Sequence, residues 1–194
     1  MNYLAHLALS GNNESLIIGN FIGDSMQGIP LNSFDHEIQK GIKLHRFIDH
    51  FTDHHPSFIA AKRIFSSSYD KYSGVLIDIF FDHFLAIHFN VYFEINLQSF
   101  ADHCYRIIQK KHDILPERAK AFFDYMISHN ILFEYKELNS IKFVLDGLYH
   151  RIKGVVPIYE SFELFKEKYQ EIENLFLYFF PELKKESEQF ILNL

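Results

Sequence analysis

The stretch Val75–Phe89, VLIDIFFDHFLAIHF, decides the fold. Wound at about 100° per residue, Ile77, Ile79, Phe80, Phe81, Phe84, Leu85, Ile87 and Phe89 fall on nearly every side, and a helix apolar all round is a buried one. Two Asp and two His interrupt the run. No segment of the chain approaches the ~18 uncharged apolar residues of a membrane span, so this is a core helix of a globular protein. Asp78 and Asp82, four residues apart, then stand in poorly hydrated surroundings. An ionised carboxylate there needs a metal, an arginine or a cage of hydrogen-bond donors.

Outward from that helix, helical periodicity dominates and strand alternation is scarce. The pattern predicts helices at about 14–27, 34–54, 57–66, 73–90, 97–111, 117–130, 134–151 and 160–192, with a short helical turn near 3–9. Pro56 suits a first turn, Ser33 and Asn96 are candidate N-caps, and Pro181 should kink or divide the last helix. No repeat or flexible linker interrupts the 194 residues, so the expectation is one all-α domain, a helical bundle over 1–194. A hydrophobic content of 48% with 22 Phe fits a packed core. The single Cys104 excludes an internal disulfide and any cysteine-based zinc site, which fits a reducing, cytoplasmic compartment. No basic signal-peptide head precedes NYLAHLAL. A net charge of −6 disfavours nucleic acid as a partner. Oligomeric state is left open.

His45–His55, HRFIDHFTDHH, packs four His, two Asp and an Arg into eleven residues. On a helix Asp49 lies about 40° from His45, Asp53 about 80° and Arg46 about 100°, while Leu44, Phe47, Ile48 and Phe51 fill the other side. The His45/Asp49 pair can therefore aim two ligands at one ion from the border of the buried face. His50 and His54 rotate away towards solvent. Asp82 from the buried helix could complete such a site, and a ligand set rich in carboxylates suits Mn²⁺, Fe²⁺ or Mg²⁺ at least as well as Zn²⁺. The alternative is a surface hydrogen bond on one helix, with Asp78 and Asp82 salt-bridged to Arg46 or Arg151. In GNFIGDSMQG, Gly19–Gly28, Asp24 is a further ligand candidate, and Gly19 and Gly23 serve either close packing or a site. A lone His6 reads by default as a satisfied core histidine.

GNFIGD, GIKLHRFIDHFTDHHP, DIFFDHFLAIHF, the opening NYLAHL and VLDGLYHR at 144–151 together resemble the acyl carrier protein phosphodiesterases. The resemblance covers most of the chain. It implies a fold like that of the HD-type metal-dependent phosphohydrolases. The implied activity, in fatty acid and lipid metabolism, is hydrolysis of the phosphodiester joining 4′-phosphopantetheine to a serine of holo-acyl carrier protein, with Mn²⁺ as cofactor. By position it points to Asp24, His45, Asp49 and Asp82 as metal ligands, and to Arg46, Asp53 and His83 as neighbours that orient ligands, bind phosphate or move protons. His83 is the candidate proton donor to the leaving serine. HD enzymes are named for a His-Asp doublet, whereas both clusters here read Asp-His (Asp49-His50 and Asp82-His83). The literal pair His112-Asp113 reads as a loop or cap. A nucleotide or small-ester phosphohydrolase and a non-catalytic metal-binding module are the rival readings. An acidic carrier protein would need a basic docking face, for which Lys62/Arg63, Lys110/Lys111 and Arg151/Lys153 are the candidates.

Overall fold

The structure is a computed structural model that describes all 194 residues apart from the side chain of Arg151. Its helices are α1 (Tyr3–Ala8), α2 (Glu14–Ile22), α3 (His36–His54), α4 (Pro56–Tyr69), α5 (Ser73–Ile87), α6 (Phe89–Tyr92), α7 (Leu97–Lys110), α8 (Glu117–Ser128), α9 (Ile131–Glu134), α10 (Leu138–Arg151), α11 (Ser161–Glu167) and α12 (Tyr169–Leu192), joined by short 3₁₀ turns. Among the described residues there is no strand. The fold is all-α, and its buried apolar side chains form one contiguous core. No helix is long and apolar enough to cross a membrane, searched over the described residues.

Helix α5 is the central rod. Leu76, Ile77, Phe80, Phe81, Phe84 and Leu85 are fully buried, and α1, α4, α10 and α12 pack around it. Phenylalanines supply the filling: Phe80 stacks on Phe165 at 4.0 Å between centroids, and Phe81 meets Phe176 edge-on at 5.6 Å. Such aromatic pairs contribute about 0.5–1.5 kcal/mol each beyond the area they bury.

The closest helix pair is α2 against α3. It closes because two glycines face each other. A Cβ on Gly19 would stand 2.1 Å from the Ile38 carbonyl oxygen, and one on Gly41 would stand 2.5 Å from that of Leu16. Any larger residue at either position forces the helices apart. This crossing lays the end of α2 against the middle of α3.

Several boundaries differ from those read in the sequence. Asn96 caps α7 through a 2.9 Å bond from the Ser99 amide, but Ser33 lies in a 3₁₀ turn and Asp35 holds the cap position of α3. The helix expected at 134–151 begins only at Leu138, as α10, with the short α9 ahead of it, and the stretch from Phe89 turns off as α6. Pro181 does not divide the last helix; the break falls at Lys168. Proline lacks an amide for the carbonyl of Leu177, and that residue lies on the solvent-exposed side, where water can take the bond. His112-Asp113 sits in a 3₁₀ turn, as a loop reading requires.

Candidate metal centre

The site forms where α1, the end of α2 and the middle of α3 meet. His6 and His45 stack with ring centroids 4.1 Å apart, and one carboxylate bridges them. His6 Nε2 lies 3.1 Å from Asp49 Oδ1, and His45 Nε2 lies 3.1 Å from Asp49 Oδ2. Asp24, from the 3₁₀ turn after α2, brings its Oδ1 to 3.4 Å from His45 Nε2. One ligand atom from each of His6, His45 and Asp49 falls within 4.8 Å of the others. The imidazoles are buried at 3% and 5% exposure, whereas the side chains of Asp49 and Asp24 are 42% and 58% exposed. The cluster therefore has a closed histidine floor and an open carboxylate rim.

Asn20 fixes which ring nitrogens face that rim. Its Nδ2 donates to the His6 carbonyl at 2.6 Å and to Ser10 Oγ at 2.9 Å, so the amide oxygen must point the other way. That oxygen accepts from His6 Nδ1 at 2.8 Å, while His45 Nδ1 donates to the Asn20 backbone carbonyl at 2.9 Å. With both Nδ1 protons committed to one residue, both Nε2 atoms face the same small space. This is how supporting residues commonly orient metal-binding histidines. Gly23 completes the seat. A Cβ there would lie 2.2 Å from His45 Cγ, so only glycine lets the ring lie against the backbone.

Ring nitrogens of two imidazoles, oxygens of two carboxylates and the Met1 carbonyl oxygen, 3.1 Å from His6 Nε2, gather here. A proton on His45 answers the carboxylates: burial pulls His45 down, but hydrogen bonds to Asp24 and Asp49 outweigh it and raise it to about 9. His6 moves the other way, depressed first by burial and then by His45 beside it. Burial alone would raise Asp49, yet its bonds from His45 and His6 hold it well below the usual carboxylate range. Asp24 is lowered chiefly by its hydrogen bond from His45. The residues present fit a divalent ion with mixed nitrogen and oxygen ligation.

The candidates from the sequence thus separate. Asp24, His45 and Asp49 come together, and His6, whose default reading was a core histidine, joins them. Asp82 lies outside the cluster. Fully buried, it accepts from the amides of Asn2 (3.3 Å), Leu4 (2.7 Å) and Ala5 (3.4 Å) and so holds the start of α1 in place. Burial is the main influence on Asp82, raising it to about 7 against the lowering effect of the Met1 amine and these amides. Asp78 pairs with the Met1 amine at 2.8 Å, not with Arg46, which is exposed. Arg151's side chain lies outside the described residues.

His83 is likewise structural. Its Nδ1 donates to the Tyr135 carbonyl at 2.7 Å and its Nε2 is 3.0 Å from the Tyr169 hydroxyl, with no surface exposed. Both nitrogens are engaged away from the cluster, which leaves it no route to a leaving serine. Asp53 is exposed one turn beyond Asp49. His50 and His54 are exposed and stack on each other at 4.3 Å. Asn20 is the functional residue that sequence reasoning missed; its only signal was a buried-pattern position inside GNFIGD.

This geometry defines an all-helical protein in which His6, His45 and Asp49 form a group able to hold a metal ion, with Asp24 against His45. Residues 1–183 match the family model described as acyl carrier protein phosphodiesterase. The chain is 33% identical to an acyl carrier protein phosphodiesterase of Yersinia pestis over 97% of this chain and 98% of that protein. It is 30% identical to one from Photorhabdus laumondii over 97% and 96%, and 32% identical to one from Pectobacterium atrosepticum over 94% and 95%. No solved structure matches the fold significantly. The chain belongs to the acyl carrier protein phosphodiesterase family.

Proposed function

We propose that this protein hydrolyses the phosphodiester between 4′-phosphopantetheine and the serine of holo-acyl carrier protein. Water adds to phosphorus, the bond to the serine oxygen breaks, a proton released by the water ends on that serine oxygen, and the products are apo-carrier protein and 4′-phosphopantetheine. The single observation that carries the chemistry is the grouping of His6, His45 and Asp49, with Asp24 3.4 Å from His45 and both Nδ1 atoms tied to Asn20. The substrate comes from the names that the relatives carry.

In this reading His6, His45, Asp49 and Asp24 hold a divalent ion, Mn²⁺ by preference, as in an HD-type phosphohydrolase. When bound, such an ion makes water more acidic and offsets charge on the phosphate oxygens. The chain's own residues do the rest. Asn20 and Gly23 keep the two imidazoles in one tautomer and one position. Arg46, exposed beside His45, offers a forked guanidinium to a phosphate oxygen. Asp53, exposed a turn beyond Asp49, takes the proton from the attacking water, a contribution of about 10²–10⁴-fold. Asp82 and His83 position α1 and the α5 scaffold and touch no reacting atom.

The test is incubation of holo-carrier protein with the purified chain and Mn²⁺, followed by intact mass. Loss of the whole phosphopantetheine arm is expected. An unchanged mass across Mn²⁺, Mg²⁺, Fe²⁺ and Zn²⁺ refutes the proposal.

A further inference from the structure

A cavity of about 500 Å³ has Asp24 of the cation cluster in its wall and runs between α5, α8 and α10. That volume suits a ligand of pantetheine's size. Its walls are mixed: Ile79, Phe122, Val144 and Leu148 are apolar, while Asn2, Tyr125 and the ion pair of Asp78 with the Met1 amine are polar. Arg118 is the one basic side chain among the described residues that line it, and it is exposed at the start of α8. Apart from Asp24, the hydrolytic chemistry above draws on none of these lining residues.

We infer that the cavity seats the pantetheine arm of the substrate, an inference that rests on the function proposed above. The phosphate must lie at the cation cluster, so whatever is bonded to it enters a space that shares a wall with the cluster. The first group after the phosphate is a branched hydrocarbon carrying two methyls, and two amides follow. Apolar walls with scattered hydrogen-bonding groups match that alternation. Gly147 leaves the room. A Cβ built there would meet only the Tyr125 hydroxyl, at an ordinary 3.6 Å, so a larger side chain is tolerated by the backbone and projects where the arm would lie. Glycine is a poor helix former, so replacing it inside α10 does not weaken the helix.

The experiment compares wild type with Gly147→Leu, its folding checked by circular dichroism. Saturation-transfer NMR with free pantetheine, which lacks the phosphate, reads the cavity alone. Turnover of holo-carrier and of acyl-loaded carrier reads the reaction. Transfer to pantetheine in wild type, its loss in Gly147→Leu, and a drop of about 10-fold or more in kcat/KM on holo-carrier are expected, because binding energy from the remote arm is used at the reacting centre. No transfer in wild type, or equal transfer and equal kcat/KM in the folded variant, overturns the assignment. A loss confined to acyl-loaded carrier also overturns it, since the cavity would then hold the acyl chain. If Gly147→Leu does not fold, Val144→Phe fills the same space and is judged by the same outcomes. Absence of any turnover by wild type with Mn²⁺ is a different failure, that of the proposed function, and leaves the NMR result to decide the cavity.

Discussion

Helices α3 and α5 carry nearly the same text. One reads His45 then Asp49-His50, the other Asp78 then Asp82-His83, with the same spacing. In α3 the leading residue is buried and its carboxylate partner half-exposed, so donors converge at a boundary that ligands can reach. In α5 the second acid and the histidine are wholly enclosed, and each is consumed by backbone or hydroxyl groups of its neighbours. Closely similar residue sets form an accessible cluster in one helix and a brace in the other. What separates them is access to water and whether protein groups already satisfy every lone pair.

That contrast can be broken at its strong end first. Asp49→Ala should lower turnover of holo-carrier by about 10³-fold, the several kcal/mol that a metal centre contributes, while thermal unfolding shifts little. Loss of fold with retained specific activity would reverse the roles assigned to the two helices. Asp82→Ala should do the opposite. Three backbone amides lose their acceptor, at about 3 kcal/mol, and the melting temperature should fall by about 6–12 °C; a normal melting curve with abolished turnover would return Asp82 to the active centre.

Asn20→Ala sharpens the comparison from within the site. Freed imidazoles should bind Mn²⁺ about 10–100-fold more weakly, measured by calorimetry; unchanged affinity would show that the tautomers need no such support. His83→Phe should cost about 1–3 kcal/mol by stranding the Tyr135 carbonyl and should leave kcat within a few-fold. Burial holds His83 below its ordinary 6.5, against the raising effect of its bond to Tyr135. A depressed histidine contributes stability above pH 6.5 that is lost as pH falls through its folded value. Wild type should therefore lose stability below pH 6.5 more steeply than His83→Phe in denaturant titrations, and parallel slopes would contradict this. The smallest effect belongs to His50→Ala, an exposed residue outside the cluster, whose stability should stay within about 0.5 kcal/mol.

The all-α fold was legible because apolar periodicity is a local property: α5 is buried along most of its length as its letters require, although Ile87 at its end is exposed. The breaks at Lys168 and before Leu138 were not, since no glycine or proline marks them and tertiary packing sets them. The His45/Asp49 pairing followed from helical spacing alone. The need of Asp82 for partners was also legible, but not their nature, because the amides of α1 have no side-chain signature. His6 and Asn20 could not be placed from their own segments. They reach His45 only through the crossing of α2 over α3 at Gly19 and Gly41, a contact between distant parts of the chain.

The most direct measurement is an electron paramagnetic resonance titration of the metal-free protein with Mn²⁺. Wild type should remove the free-ion signal up to one equivalent, and Asp49→Ala and His6→Ala, both folded, should leave it in solution. A free-ion signal undiminished by wild type, or removed equally well by both variants, would mean that these side chains do not share a cation.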